Sequence, residues 1–100
     1  MMGRRSTLSP GQVETARRIS ILTIARRLGL GEPVPHGHEW AVLCPLHDDH
    51  DPSLHLHPER NVWFCFVCGE GGDGIKLVQR ANGLGFVEAV TWIAGSRGQP

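Results

Sequence analysis

Three cysteines and six histidines are the side chains of this chain best suited to hold an ion. They are crowded together. Every cysteine lies between residues 38 and 74, with His38, His47, His50, His55 and His57. An odd cysteine count argues against a set of internal disulfides. Two tight pairs stand out: Cys44-Pro45-Leu46-His47 and Cys65-Phe66-Val67-Cys68, the second followed by Gly69. Each reads ligand-x-x-ligand. That spacing lets a tight turn aim two side chains at one ion while its backbone N–H groups point at the sulfurs. Three thiolates and one imidazole form a closed tetrahedral set, which is structural zinc chemistry. Closed coordination leaves no position for a catalytic water.

The other histidines fit the site less well. His50 lies too far from Cys44 for a tight knuckle. His55 and His57 fall in mid-strand on one face, and His36 and His38 precede the first strand. His47 is favoured by spacing. Three thiolates, a neutral imidazole and Zn²⁺ sum to one negative charge, so the site does not itself attract a polyanion. Its expected work is to hold strands, and folding of residues 40–70 is expected to depend on metal.

The elements that must position these ligands can be read around them. Ser9-Pro10 begins a helix, with Gln12 at the capping-box position, that runs to about Arg18. Ser20 caps a second, in which Ile21, Ile24, Ala25 and Leu28 recur at helical spacing and Gly29 ends the run. "GEPVPHG" reads as a linker. "HEWAVLC" (38–44), "SLHLH" (53–57) and "NVWFCF" (61–66) read as strands, the last two joined through "PERN" as a hairpin. Residues 48–64 thus supply a strand, a turn and a strand that bring the two ligand pairs together. "GEGGDG" reads as a turn and a helix start. Asp73 caps a helix carrying Ile75, Val78 and Ala81, ended by Asn82-Gly83. A last helix carries Phe86, Val90 and Ile93. The sum is an α+β domain, a small antiparallel sheet with helices before and after it. Residues 9–95 form the domain, between a loose leader (1–8) and a tail (96–100).

The 100 residues bound one domain, whose small core gains from a metal staple. There is no apolar run long enough to span a membrane, and no secretory signal. A cytoplasmic protein with reduced cysteines is the expectation. The formal net charge of zero hides an asymmetry. Arg4, Arg5, Arg17, Arg18, Arg26 and Arg27 face one acid, Glu14, in residues 1–27, whereas residues 28–59 hold acids and no Lys or Arg. An Arg-rich start fits a solvated helix face or a nucleic-acid footprint.

The stretch "CPLHDDHDPSLHLHPERNVWFCFVCGEGGDGIKLV" resembles the zinc-binding domain at the N-terminus of bacterial and phage DNA primases of the DnaG type. The shared pattern is Cys-Pro-x-His, Pro-Ser, Pro-Glu-basic, then an aromatic strand ending in Cys-Phe-x-Cys-Gly. "ISILTIARRLGL" looks like that family's first long helix and "GFVEAVTWIA" like its closing helix. The resemblance covers roughly residues 10–95. It implies a zinc ribbon with Cys44, His47, Cys65 and Cys68 as ligands to one structural Zn²⁺. It also implies binding of single-stranded template DNA during RNA primer synthesis, on a sheet face carrying Arg60, Trp63 and Phe64. The implied partners are single-stranded DNA and a primase catalytic domain or replicative helicase. In a strand, however, Trp63 and Cys65 share one face while Val62, Phe64 and Phe66 share the other. Trp63 and Phe64 therefore point to opposite sides. His50 stands where the family commonly has a lysine, Leu54 replaces a usual Phe, and Phe64 a frequent polar or basic residue.

No motif for catalysis emerges. Asp49-His50-Asp51 is a D-x-D, but it sits in a loop beside His47 rather than in a strand–loop–helix context that would position Mg²⁺. "GEGGDG" lacks the Gly-Lys-Ser/Thr of a phosphate-binding loop. The chain alone is not expected to polymerise nucleotides. The alternative to a primase module is a stand-alone zinc ribbon for protein interaction or transcriptional regulation in a phage or mobile element.

Overall fold

The computed structural model describes residues 8–48 and 50–95. The expected tail lies outside these residues, as does the expected leader except Leu8, which packs against the core.

Helix α1 (Pro10–Arg18) starts from a reciprocal cap. The Ser9 hydroxyl accepts from Gln12 N–H at 3.2 Å, and the Gln12 amide oxygen accepts from Ser9 N–H at 2.9 Å. Helix α2 (Ile21–Arg27) is capped by Ser20, and its chain leaves through Gly29 at φ 77°. Five strands follow in an antiparallel meander of order β1-β2-β3-β4-β5. They are β1 (Val34–His36), β2 (Glu39–Val42), β3 (Leu54–His57), β4 (Val62–Cys65) and β5 (Glu70–Asp73). Helix α3 (Gly74–Asn82) is capped by the Asp73 carboxylate and closed by Gly83 in the left-handed region. Helix α4 (Phe86–Ala94) ends the described chain.

The helices cover one face of the sheet. Leu54, Leu56, Trp63 and Cys65 point inward and are buried with Ile21, Ile24, Ile75, Val78 and Val90. Arg27 ties α2 to α4. Its guanidinium donates to the Ile93 and Trp92 carbonyls at 3.0 and 2.7 Å and lies 4.4 Å from the Trp92 ring centroid. It satisfies carbonyls that the end of α4 leaves open while stacking on an indole. No helix among the described residues is long and apolar enough to cross a membrane.

Two expectations need correction. "GEPVPHG" is not all linker, because residues 34–36 pair with Glu39–Ala41 as an edge strand. Proline is tolerated there since an edge strand needs only one row of ladder bonds. "GEGGDG" is not only a turn, because Glu70–Asp73 pairs with β4 along its full length. Glycine is ordinarily depleted in strands. At residue 71 it is required, since a Cβ there would lie 2.6 Å from the Trp63 carbonyl oxygen and 2.9 Å from the Phe64 ring.

Candidate metal centre

Two tight turns at one end of the sheet converge. Cys44 follows the end of β2, and Leu46 N–H donates to its sulfur at 3.4 Å. Cys65 ends β4, and Cys68 N–H donates to its sulfur at 3.4 Å. The Gly69 N–H closes the second turn onto the Cys65 carbonyl at 2.8 Å, with Gly69 at φ 72°. Both turns thus carry the expected backbone-to-sulfur bonds.

Among the described residues, Cys44, His47, Cys65 and Cys68 are the only group of three or more His, Cys, Asp or Glu side chains close enough to share an ion. Their ligand atoms all lie within 4.8 Å of one another. The spacing suits zinc. Tetrahedral Zn–S bonds of about 2.3 Å put two sulfurs about 3.8 Å apart, and sulfur and imidazole nitrogen about 3.5 Å apart. The Cys44 and Cys68 sulfurs are separated by 3.7 Å, and Cys65 Sγ lies 3.5 Å from His47 Nε2. A disulfide would need about 2.05 Å. The outer contacts also suit a metal-bound imidazole. His47 Nδ1 is 3.3 Å from the Asp48 carbonyl, so Nδ1 carries the proton and Nε2 is directed at the sulfurs. Ser53, unremarked as a site residue in the sequence, places its hydroxyl 3.5 Å from Cys65 Sγ and 3.3 Å from His47 Nε2.

Thiol acidity is uneven across the cluster. Burial pushes Cys44 up to about 12, with the neighbouring sulfurs adding to the effect against the lowering by Leu46 N–H. Cys68 is also raised, chiefly by burial. Burial pushes Cys65 up too, but the Cys68 N–H, Ser53 and His47 outweigh it and bring it down to about 6. A folded site without metal would therefore hold one thiolate and two thiols near neutral pH, whereas zinc needs three thiolates. Loading would release about two protons from such a site, and about three from an unfolded loop whose thiols have returned to ordinary acidity near 8.5. We expect about three at pH 7, because the metal-free loop loses its fold. Calorimetry in buffers of different ionisation enthalpy measures the number, and a value near two would show a preformed site. In either case apparent affinity falls as pH is lowered.

Three of the remaining histidines have other partners. His55 Nδ1 is 3.0 Å from Glu39 Oε1, His57 Nδ1 accepts from Arg60 N–H at 3.4 Å, and His50 is exposed beside Asp48. Asp49 of the D-x-D lies outside the described residues, and Asp51 is exposed.

The aromatic strand divides as its alternation requires. Trp63 is 2% exposed and its indole N–H donates to the Asp73 carbonyl at 2.8 Å. It has no open face for a nucleic acid, so its expected contact role is set aside on burial grounds. Phe64 is 43% exposed on the opposite face, and Arg60 is exposed at the β3–β4 turn.

Comparison with known proteins agrees with this geometry. Residues 17–99 match the CHC2 zinc finger family. The chain is 39% identical over 62 residues to a DNA primase of Thermotoga maritima, covering 62% of this chain and 11% of that protein. It is 45% identical over 56 residues to a DNA primase of Mycolicibacterium smegmatis, covering 56% of this chain and 9% of that protein. The structure of the zinc-binding and RNA polymerase domains of the Aquifex aeolicus primase is similar, with TM-score 0.72 and 30% identity, over 83% of this chain and 20% of that one. The chain thus spans about a tenth of the length of these curated relatives. With its four ligands, its paired knuckles and a match over most of its length, the chain belongs to the CHC2 zinc finger family, and its cofactor is a structural zinc.

Proposed function

We propose that the chain is the nucleic-acid-binding zinc module of a DNA primase, holding single-stranded template DNA while a catalytic domain builds the RNA primer. That domain, and a replicative helicase, are the expected partners. The observation that carries the reading is Phe64, turned out to solvent on the sheet while its neighbour Trp63 is turned in. An exposed ring on a sheet offers a stacking platform for an unpaired base, which a duplex hides. Arg60, for which no ion-pair partner is found among the described residues, supplies a cation at the β3–β4 turn, four residues before Phe64. Arg18, Arg26 and Arg80 are instead matched with Glu14, Glu32 and Glu70.

Zinc-loaded protein is expected to bind a labelled single-stranded oligonucleotide better than the corresponding duplex, in fluorescence anisotropy at low salt. Binding should weaken as salt rises. Arg60→Ala combined with Phe64→Ala should cost at least about tenfold in affinity, from one lost stacking partner and one lost cation, with zinc content unchanged. Equal binding of single and double strands, or none, would sink the reading. A protein-binding zinc ribbon is the second reading, favoured by the exposed apolar tip of the Cys65–Cys68 knuckle, Phe66 and Val67.

A further inference from the structure

The outer face of the sheet carries more aromatic surface than Phe64. Four rings meet edge to face across it. Phe64 and Phe66 have centroids 5.2 Å apart at 72°, Phe66 and His55 are 4.6 Å apart at 84°, and His55 and His36 are 4.9 Å apart at 86°. Phe64 and His55 are direct cross-strand partners, and His36 lies on the outermost strand. The row therefore runs across the strands, from β4 over β3 to the β1 edge. Phe66 is 66% exposed and His36 is also exposed. His55 is held in the row by Glu39 on β2, at 3.0 Å. At the other end Gly71 opposes Phe64 with no side chain of its own, leaving room for the Phe64 ring.

We propose that an unpaired nucleic-acid strand crosses the sheet along this row, from Phe64 through Phe66 and His55 to His36, rather than following β4. The inference rests on the nucleic-acid reading above and adds Phe66 and His36 as base-stacking residues, with His55 as a positioning residue. Contiguous, perpendicular rings offer successive apolar surfaces but few cations. The row's one acid, Glu39, is engaged by His55. Recognition along it is therefore stacking on bases of any sequence, with the Arg60 cation outside the row at the β3–β4 turn.

The test is anisotropy with a fluorescent oligothymidylate on zinc-loaded protein, at several salt concentrations, for the wild type and single variants. His36→Ala lies on an exposed edge and Phe66→Ala on an exposed tip, so both should fold. Each is expected to weaken binding about tenfold while leaving the salt slope unchanged. Phe86→Ala, an exposed aromatic on the helical side, should bind as wild type. If Phe64→Ala weakens binding but His36→Ala and Phe66→Ala do not, the path is wrong and the nucleic-acid reading stands. If the wild type does not bind, both fall. If sedimentation shows a wild-type dimer that Phe66→Ala dissolves, with unchanged DNA affinity per monomer, the row serves a second copy and the path is overturned.

Discussion

Cys65→Ser is expected to give a chain that neither retains zinc nor folds over residues 40–70. The cysteine is at the junction of two structures. Its sulfur belongs to the ligand cluster, and its side chain is fully buried among Leu54, Trp63 and the helical residues of the core. Apparent binding energies for structural zinc are about 10–16 kcal/mol, as large as the whole stability of a typical domain at about 5–15 kcal/mol. Loss of one of three thiolates should therefore be decisive. It leaves Cys44 and Cys68 as buried or half-buried thiols with no shared ion. Elemental analysis should find one zinc per wild-type chain and well under one in the variant. Chelation of the wild type should reproduce the loss of structure in circular dichroism and amide exchange. A Cys65→Ser protein that melts cooperatively near the wild-type temperature would refute a structural role for the metal.

The metal centre was readable because its signal is local. Two residues at i and i+3 in a tight turn are aimed together by backbone geometry alone, and the chain between Cys44 and Cys65 need only double back. The helices were readable for a similar reason, since Ser9 with Gln12, Ser20 and Asp73 are caps that act within one turn. The edge strands were not. Residues 34–36 are exposed throughout, so no alternation marks them. In β5, Gly71 and Gly72 look like a loop until β4 is beside them, because the need for glycine at residue 71 comes from the Trp63 carbonyl of another strand. The outer-face ladder has the same origin. His36 and His55 are far apart in sequence and look like bystanders, and only the strand register brings their rings together with that of Phe66.

Asn61→Ala is expected to be strongly destabilising although the residue stands in a turn, outside both the metal centre and the buried apolar cluster. Asn61 looks like an ordinary turn residue in "PERN", and does stand in the left-handed region at φ 60°, which asparagine tolerates. Its side chain reaches the helical layer. The amide oxygen accepts from Ile21 N–H at 2.7 Å, and the amide nitrogen donates to the Arg17 and Ile19 carbonyls, both at 3.0 Å. One side chain thus satisfies groups that the end of α1 and the start of α2 leave open, in a partly buried corner. Three hydrogen bonds at about 1 kcal/mol each, with about 1 kcal/mol more for an alanine Cβ held in the left-handed region, suggest a loss of about 4 kcal/mol, or a melting point lower by about 16–32 °C in the zinc-loaded protein. Asn61→Gly should recover about 1 kcal/mol of that loss by removing the backbone strain, but not the bonds. Asn61→Asp has nearly the same shape and still accepts from Ile21, but its carboxylate cannot donate and faces two carbonyls. It should be about as damaging as alanine. Thermal melts of the three variants at equal zinc occupancy separate the causes. If aspartate behaves like asparagine, the two carbonyl contacts contribute nothing. If alanine costs under about 1 kcal/mol, the corner is held by packing instead. Because Arg60 is the preceding residue, the same bonds anchor the turn that presents its cation, so all three variants should also weaken single-strand binding before they unfold the domain.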